Sequence, residues 1–417
     1  MKADIVIVGG GASGFAAAIS AKETYPNASV LIVERLSRTG KKLIATGNGK
    51  CNLSNISISK YNYHGTINAI DIINKTPDWH ELFTDKLGVL CVTGSEGREG
   101  GVYPRSNSSN TVLNAIRLKL NELCIKEQCN CEITDIIITS SGFELKYSEG
   151  IINCHKLIIA AGGYAGPSFG TDGGMIRLLK SMGIKSEKIC PAIAPLRVDT
   201  ESIKGLKGVR VKGEVSAFSG GKELRKEKGE IQFNENNISG ICVFNLAYLF
   251  QKYEGVLTLR ADLAPDLTIN ELDRYFHRLH EQRINNTAEE LLSGFFVKNL
   301  AVWIIKNSIN KSPSEPIRNL TDYDIKKISK FIKSLEFKVT GCSPWQNAQS
   351  TMGGISASEI DENLCCKKYK GMYLCGEILD VAGDCGGYNL QWAWSSGIWA
   401  GINAALSLKG GINDKSR

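Results

Sequence analysis

Proline is scarce in this chain, with 10 residues in 417, and histidine is scarcer, with 5. So little proline beside 43 glycines argues against a Pro-rich scaffold and for a backbone that approaches ligands closely. His64, His80, His155, His277 and His280 share no metal-ligand spacing, so no metal site is expected. No apolar run approaches the ~20 residues that span a bilayer, and no membrane partner is expected. The net charge of +7 has no basic stripe behind it. Its richest run, Lys222 to Lys228, is interleaved with Glu223 and Glu227 and reads as a solvated hairpin edge, with no nucleic-acid partner expected. The 13 cysteines contain no C-x-x-C pair, since Cys129 and Cys131 stand too close and Cys365 and Cys366 are adjacent. The first twenty residues carry Asp4 and are broken by Gly9, Gly10, Gly11 and Gly14, unlike a signal sequence. The thiols are therefore expected to be reduced, in a cytoplasmic protein.

What is present begins at Asp4. Asp4 to Val8 is a short apolar run ending in glycine, Ala12 to Lys22 is an Ala-rich helical stretch, and Ser29 to Val33 is a second apolar strand. Strand, glycine turn, helix and strand in about thirty residues make a βαβ unit. Gly9-x-Gly11-x-x-Gly14 falls in its turn. The first glycine permits the turn, the second lets a pyrophosphate approach the backbone, and the third lets helix and strand pack closely. Glu34 follows Gly14 by twenty residues, where a carboxylate accepts hydrogen bonds from an adenosine ribose.

This fingerprint serves FAD and NAD alike, and three later segments bear on the choice. Gly40 to Asn55 supplies glycines and asparagines able to set backbone amides against a flat polar ring. Leu157 to Gly163 is a buried strand ending in small residues. Met372 to Glu377 is again strand then Gly-acid, followed by Asp380, Asp384 and Gly386 to Leu390 at the entry of a final helix. A helix N-terminus there favours negative charge on a reduced flavin.

Helices are expected near 67–74, 78–87 and 111–123, and strands at 131–138, 142–147 and 156–160. From Pro191 the texture changes. Residues 191–265 alternate in strand fashion and 266–340 are helical in pattern, so 191–340 reads as an inserted domain between 1–190 and 341–417. The fold class is α/β: a Rossmann-like FAD-binding domain with an inserted β-barrel-like plus helical domain.

The fingerprint, Ala45 to Asn55 (ATGNGKCNLSN), Ala160 to Gly163 (AAGG) and Gly376 to Gly397 (GEILDVAGDCGGYNLQWAWSSG) together resemble one family. It is the family of NAD(P)/FAD-dependent oxidoreductases that includes aminoacetone oxidase and a flavoprotein reductase of dehydro bile acids. The resemblance runs from Asp4 to Gly401 and takes in Ile238 to Gly240 and Ala348 to Ile360. Where many members have Arg and Thr, this chain has Lys50 and Cys385. The resemblance implies bound FAD and no second nucleotide module, in keeping with the single G-x-G-x-x-G. The expected cofactor-binding residues are Gly9, Gly11, Ala12, Ser13, Gly14, Glu34, Arg35, Lys42, Gly47, Asn48, Gly49, Cys51, Asn52 and Leu53. Ile133, Ala161, Gly162, Gly376, Glu377, Asp380, Gly387, Tyr388, Asn389 and Leu390 complete the set.

The expected activity is hydride transfer through flavin N5 to or from a small organic substrate, with the flavin carrying the redox step. Reduction of an alkene or enone and oxidation of an amine or alcohol both fit, with NAD(P)H as a candidate transient donor. Arg98, Tyr103 and Tyr388 are the candidates on the substrate side. The rival reading is a non-catalytic flavin-binding module, redox-sensing or RNA-associated.

Overall fold

Asp4 to Val8 carries no polar face because the strand Lys2–Val8 lies in mid-sheet. It pairs in parallel with Val30–Val33 on one side and Gly150–Ile159 on the other. In this computed structural model, which describes residues 1–94, 100–253 and 257–414, that sheet has seven strands. From one edge the order is Lys126–Gln128, Val30–Val33, Lys2–Val8, Gly150–Ile159, Gly142–Tyr147 and Asp135–Thr139, with Met372–Leu374 also paired in parallel to Gly150–Ile159. Central parallel strands are covered on both faces, which explains the unbroken valine and isoleucine runs.

Alanine, the strongest helix former, supplies much of the helix Ala12–Thr24, and Ser13 to Ala21 are all buried. Its partner is the last helix, Tyr388–Asp414. Gly397 and Gly401 fix how closely the two approach. A Cβ on Gly401 would strike the Ala17 carbonyl, and one on Gly397 the Ser13 carbonyl and the Ala16 methyl. The glycines therefore serve packing within the helix, despite their cost to helix propensity.

The chain divides into two compact units, Met1–Pro191 with Gln349–Arg417, and Ala192–Ala348. Within the second, six strands close a barrel in the order Leu196–Val198, Asn237–Ser239, Lys222–Phe233, Arg210–Ser219, Thr258–Asp262 and Leu335–Cys342. Helices Ile269–Gln282, Ala288–Leu291, Lys298–Ile309 and Asp322–Lys333 follow the fifth strand. Thr268 with Glu271 and Thr321 with Asp324 form capping boxes that start two of them.

Two expectations are corrected here. Residues 335–340, read as helical, belong to the strand that closes the barrel, and their burial alternates strictly from Leu335 to Gly341. The strand expected from Cys131 starts only at Asp135. Glu34 and Leu36 offer their carbonyls to the N–H groups of Cys131 and Asn130, which holds that segment beside the second strand.

Candidate cofactor-binding site

A cavity of about 420 Å³ opens where the strands Lys2–Val8 and Val30–Val33 end, and residues of the first unit alone line it. Gly9, Gly11, Ala12, Ser13, Glu34, Arg35, Lys42, Ile133, Ala161, Gly162, Glu377, Asn389 and Leu390 border it, all of them expected from sequence, and Gly10 joins them.

The glycine turn builds one wall. Gly9 sits at φ +112°, and a Cβ on it would meet the Ala160 carbonyl; one on Gly14 would meet the Gly9 carbonyl. Both glycines are imposed by packing. Gly11 differs, because its backbone is extended and a Cβ would touch no atom within 4 Å. That missing side chain leaves space on the cavity side, at the N-cap of the helix Ala12–Thr24. The helix has no side-chain cap and no acid in its first turn, and its first backbone bond runs from Phe15 N–H to the Gly11 carbonyl. The amides of Ala12, Ser13 and Gly14 therefore have no partner within the helix, an arrangement that suits an anion. The cradle fits the diphosphate of a dinucleotide.

Glu34 is held rigidly. Its Oε2 accepts from Gly10 N–H and its Oε1 from Leu36 N–H, both at 2.9 Å. Beside it, Arg35 Nη1 donates to Asp172 Oδ1 at 2.8 Å, and Gly174 N–H donates to the same oxygen at 2.9 Å. Burial pushes the Asp172 carboxyl up, but the Arg35 and Gly174 hydrogen bonds outweigh it and hold it below the usual carboxylate range. Deeper along the cavity, Lys42 Nζ lies 2.7 Å from Glu377 Oε2. Glu377 Oε1 accepts from Thr351 Oγ1 at 2.6 Å, and that hydroxyl accepts from the Tyr164 and Ala165 amides. The Lys42 ammonium is thereby fixed on a carboxylate where a phosphate or a polyol chain would pass.

The start of the last helix forms the far wall. Asn389 Oδ1 accepts from Gly383 N–H, and its Nδ2 donates to the Gly383 carbonyl at 2.7 Å. Asn55 Nδ2 donates to the Gly386 carbonyl at 3.0 Å. These bonds fix the turn before Tyr388, where Gly386 and Gly387 have φ of +143° and +101°.

Other expected residues lie off the cavity. Gly14, Gly47, Asn48, Gly49, Cys51, Asn52, Leu53, Gly376, Asp380, Gly387 and Tyr388 do not border the cavity. Cys51 and Leu53 are fully buried, and burial pushes the Cys51 thiol up to about 12. Asp380 Oδ2 accepts from Thr66 N–H at 2.8 Å, and burial holds its carboxyl above the usual range. Tyr103 and Tyr388 are both buried, and the Tyr388 hydroxyl donates to the Ser57 carbonyl at 3.3 Å. Arg98 lies outside the described residues. Sequence reasoning missed Thr171 to Gly174 and Arg177, which line the cavity. The available signal was Asp172-Gly173-Gly174 ahead of Met175 to Lys180, a helix start whose acid accepts from the residue two ahead. Trp392 and Trp394 are buried and donate to the Gly376 and Leu53 carbonyls, and Trp392 also borders the cavity.

The family described as HI0933-like protein Rossmann domain matches residues 3–403. The chain belongs to this family. It is an FAD-dependent oxidoreductase. The chain is 32% identical over 408 residues to a 3-dehydro-bile acid delta(4,6)-reductase of Clostridium scindens, covering 96% of this chain and 98% of that one. It is 23% identical over 426 residues to a ribosomal RNA dihydrouridine synthase of Escherichia coli, covering 97% and 98%. Among solved structures, a 3-ketosteroid delta1-dehydrogenase of Sterolibacterium denitrificans aligns with a TM-score of 0.52 at 13% identity, over 97% of this chain and 100% of that one. That likeness shows the fold. Among the described residues, no helix of this family member is long and apolar enough to cross a membrane, and no three His, Cys, Asp or Glu side chains gather as a metal site.

Proposed function

We propose that this flavoenzyme reduces a carbon–carbon double bond conjugated to a carbonyl on a small organic substrate, with NAD(P)H as the electron donor. The observation that carries the reading is the likeness to the bile acid reductase along nearly the whole chain. The relatives named for dihydrouridine point to the same chemistry, since the uracil 5,6-double bond is also conjugated to a carbonyl. FAD supplies the hydride chemistry when bound. The chain would bind and orient it: the Ala12 and Ser13 amides would face the diphosphate, Glu34 would take the adenosine ribose, and Lys42 and Glu377 would flank the chain between ribose and ring. The N-terminus of the last helix favours negative charge at the ring's pyrimidine end.

Anaerobic stopped-flow spectroscopy tests the reading. NADH or NADPH should bleach the flavin band, and a steroid-like enone should restore it with one equivalent of saturated product. Bleaching by an amine or alcohol, with no response to either nicotinamide, would reject the reductase in favour of an oxidase. The likeness to the dihydrouridine synthases favours a second substrate reading, a uracil base in RNA. Reoxidation by a uridine-containing RNA, with enones inert, would select it.

A further inference from the structure

A second cleft, of about 450 Å³, opens on the unit that holds the cofactor cavity, within the range of roughly 300–1,000 Å³ that small-molecule sites occupy. Lys180, Gly183 to Glu187, Ser356 and Ser358 line it, and none of them borders the cofactor cavity. Backbone pairing fixes its walls. Ser186 bridges to Ile355, Glu187 N–H donates to the Gly354 carbonyl at 2.8 Å, and Ser356 N–H donates to the Lys185 carbonyl at 3.3 Å. Lys180 and Lys185 are exposed, and among the described residues neither makes a hydrogen bond or an ion pair. Two more ammonium groups stand at the edge. Lys368 Nζ donates to the Met182 carbonyl at 2.8 Å, where the helix Gly174–Ser181 ends, and Lys367 Nζ donates to the Ser358 carbonyl at 2.9 Å. Gly183 leaves room for the first of these, since a Cβ on it would lie 2.6 Å from Lys368 Nζ. Glu187 is the one carboxylate in the lining, so the lining is net positive before the edge lysines are counted.

We propose that this cleft binds the terminal phosphate of a small soluble molecule of the nucleotide class, with Lys180 and Lys185 as its cations. A phosphate monoester carries about −1.5 to −2 charges and three strong acceptor oxygens. It engages both ammonium groups and still accepts from the Ser186 and Ser358 hydroxyls, which line the same cleft. A carboxylate would bring one charge to two cations. Lysine suits the task because it acts on phosphate as a point charge and needs no fixed fork geometry. The volume exceeds what one phosphate fills, which leaves space for the body of the molecule that carries it. The site stands apart from the flavin reading, since the two cavities have no lining residue in common.

The test titrates pyrophosphate and ADP calorimetrically into protein saturated with FAD, so that the cofactor cavity is closed to both probes. Each should bind at one site. Lys180→Gln combined with Lys185→Gln should weaken that binding about tenfold or more, the size expected for one lost charge-assisted hydrogen bond. Both lysines are exposed, so the melting curve of the double variant should match that of the wild type. Lys188→Gln is the control: it removes the same charge from an exposed residue just outside the lining, and binding should be unchanged. No uptake of either probe, undiminished binding in the double variant, or an equal loss in Lys188→Gln would overturn the assignment. Protein that ignores ADP yet sediments with phosphatidate vesicles would place the phosphate on a lipid and overturn the soluble ligand. Should the protein take up no FAD, the flavin reading falls, while the comparison of the variants still decides the cleft.

Discussion

The three glycines of the fingerprint are not equivalent, and Gly11 separates binding from folding. A methyl group there meets nothing and sits on extended backbone, so Gly11→Ala should leave the thermal midpoint unchanged. It should weaken FAD binding about tenfold or more, roughly 1.4 kcal/mol, because the methyl occupies the path of the diphosphate. Calorimetric titration beside a melting curve checks both halves, and a fall in stability with binding preserved would contradict the assignment. Glu34 behaves oppositely. Its carboxylate already holds the Gly10 and Leu36 amides, so Glu34→Ala should cost roughly 1.5–3 kcal/mol of stability even without cofactor, read from urea unfolding. The same substitution should also weaken FAD retention.

Between elements, a buried chain of hydroxyls and amide ties three segments together. Ser54 Oγ donates to Gln391 Oε1 at 2.6 Å, Gln391 Nε2 donates to Ser395 Oγ at 2.9 Å, and Thr76 Oγ1 donates to the same Ser395 oxygen at 2.9 Å. Gln391→Leu would take the acceptor from the buried Ser54 hydroxyl and one of the two donors from Ser395, and should cost about 1–3 kcal/mol, seen as a lower urea midpoint at an unchanged slope. An unchanged midpoint would mean that water takes over both partners. None of this chain could be foreseen, since Ser54, Thr76 and Gln391 are polar residues whose meeting depends on tertiary packing. The βαβ unit was legible because its periodicity and its glycines report on the same local geometry. The wall at Asp172 to Gly174 was harder to see, since it is built by a glycine-rich loop with no period, folded back by Arg35. The strand Leu335–Cys342 was legible and overlooked. Its L-E-F-K-V-T alternation is a clear period of two, eclipsed by the amphipathic helix just before it.

At the level of the molecule, all thirteen cysteines are free thiols. Burial pushes Cys51, Cys154, Cys242, Cys342 and Cys375 up to about 12, so near pH 8 these remain neutral and unreactive in the native protein. A thiol-reactive dye should label the exposed Cys124 readily and reach the full complement of thirteen only on denaturation. A deficit after unfolding, in protein kept from air, would reveal a disulfide. Ligand linkage is equally measurable: FAD at about a hundred times its Kd should raise the unfolding free energy of the unit containing the cavity by about 2.7 kcal/mol. The discontinuity of that unit governs its birth on the ribosome. The barrel unit is one uninterrupted stretch, Ala192–Ala348, and all six of its barrel strands have been made once that stretch emerges. The older segment must wait, because Gly150–Ile159 gains its Met372–Leu374 neighbour only some two hundred residues later, and Ala12–Thr24 its helical partner only when Tyr388–Asp414 is made. A nascent chain therefore carries an open sheet edge and an uncovered alanine-rich helix through most of its synthesis. Loss of the segment after Gly386 would leave it in that condition permanently, as prey for chaperones and proteases.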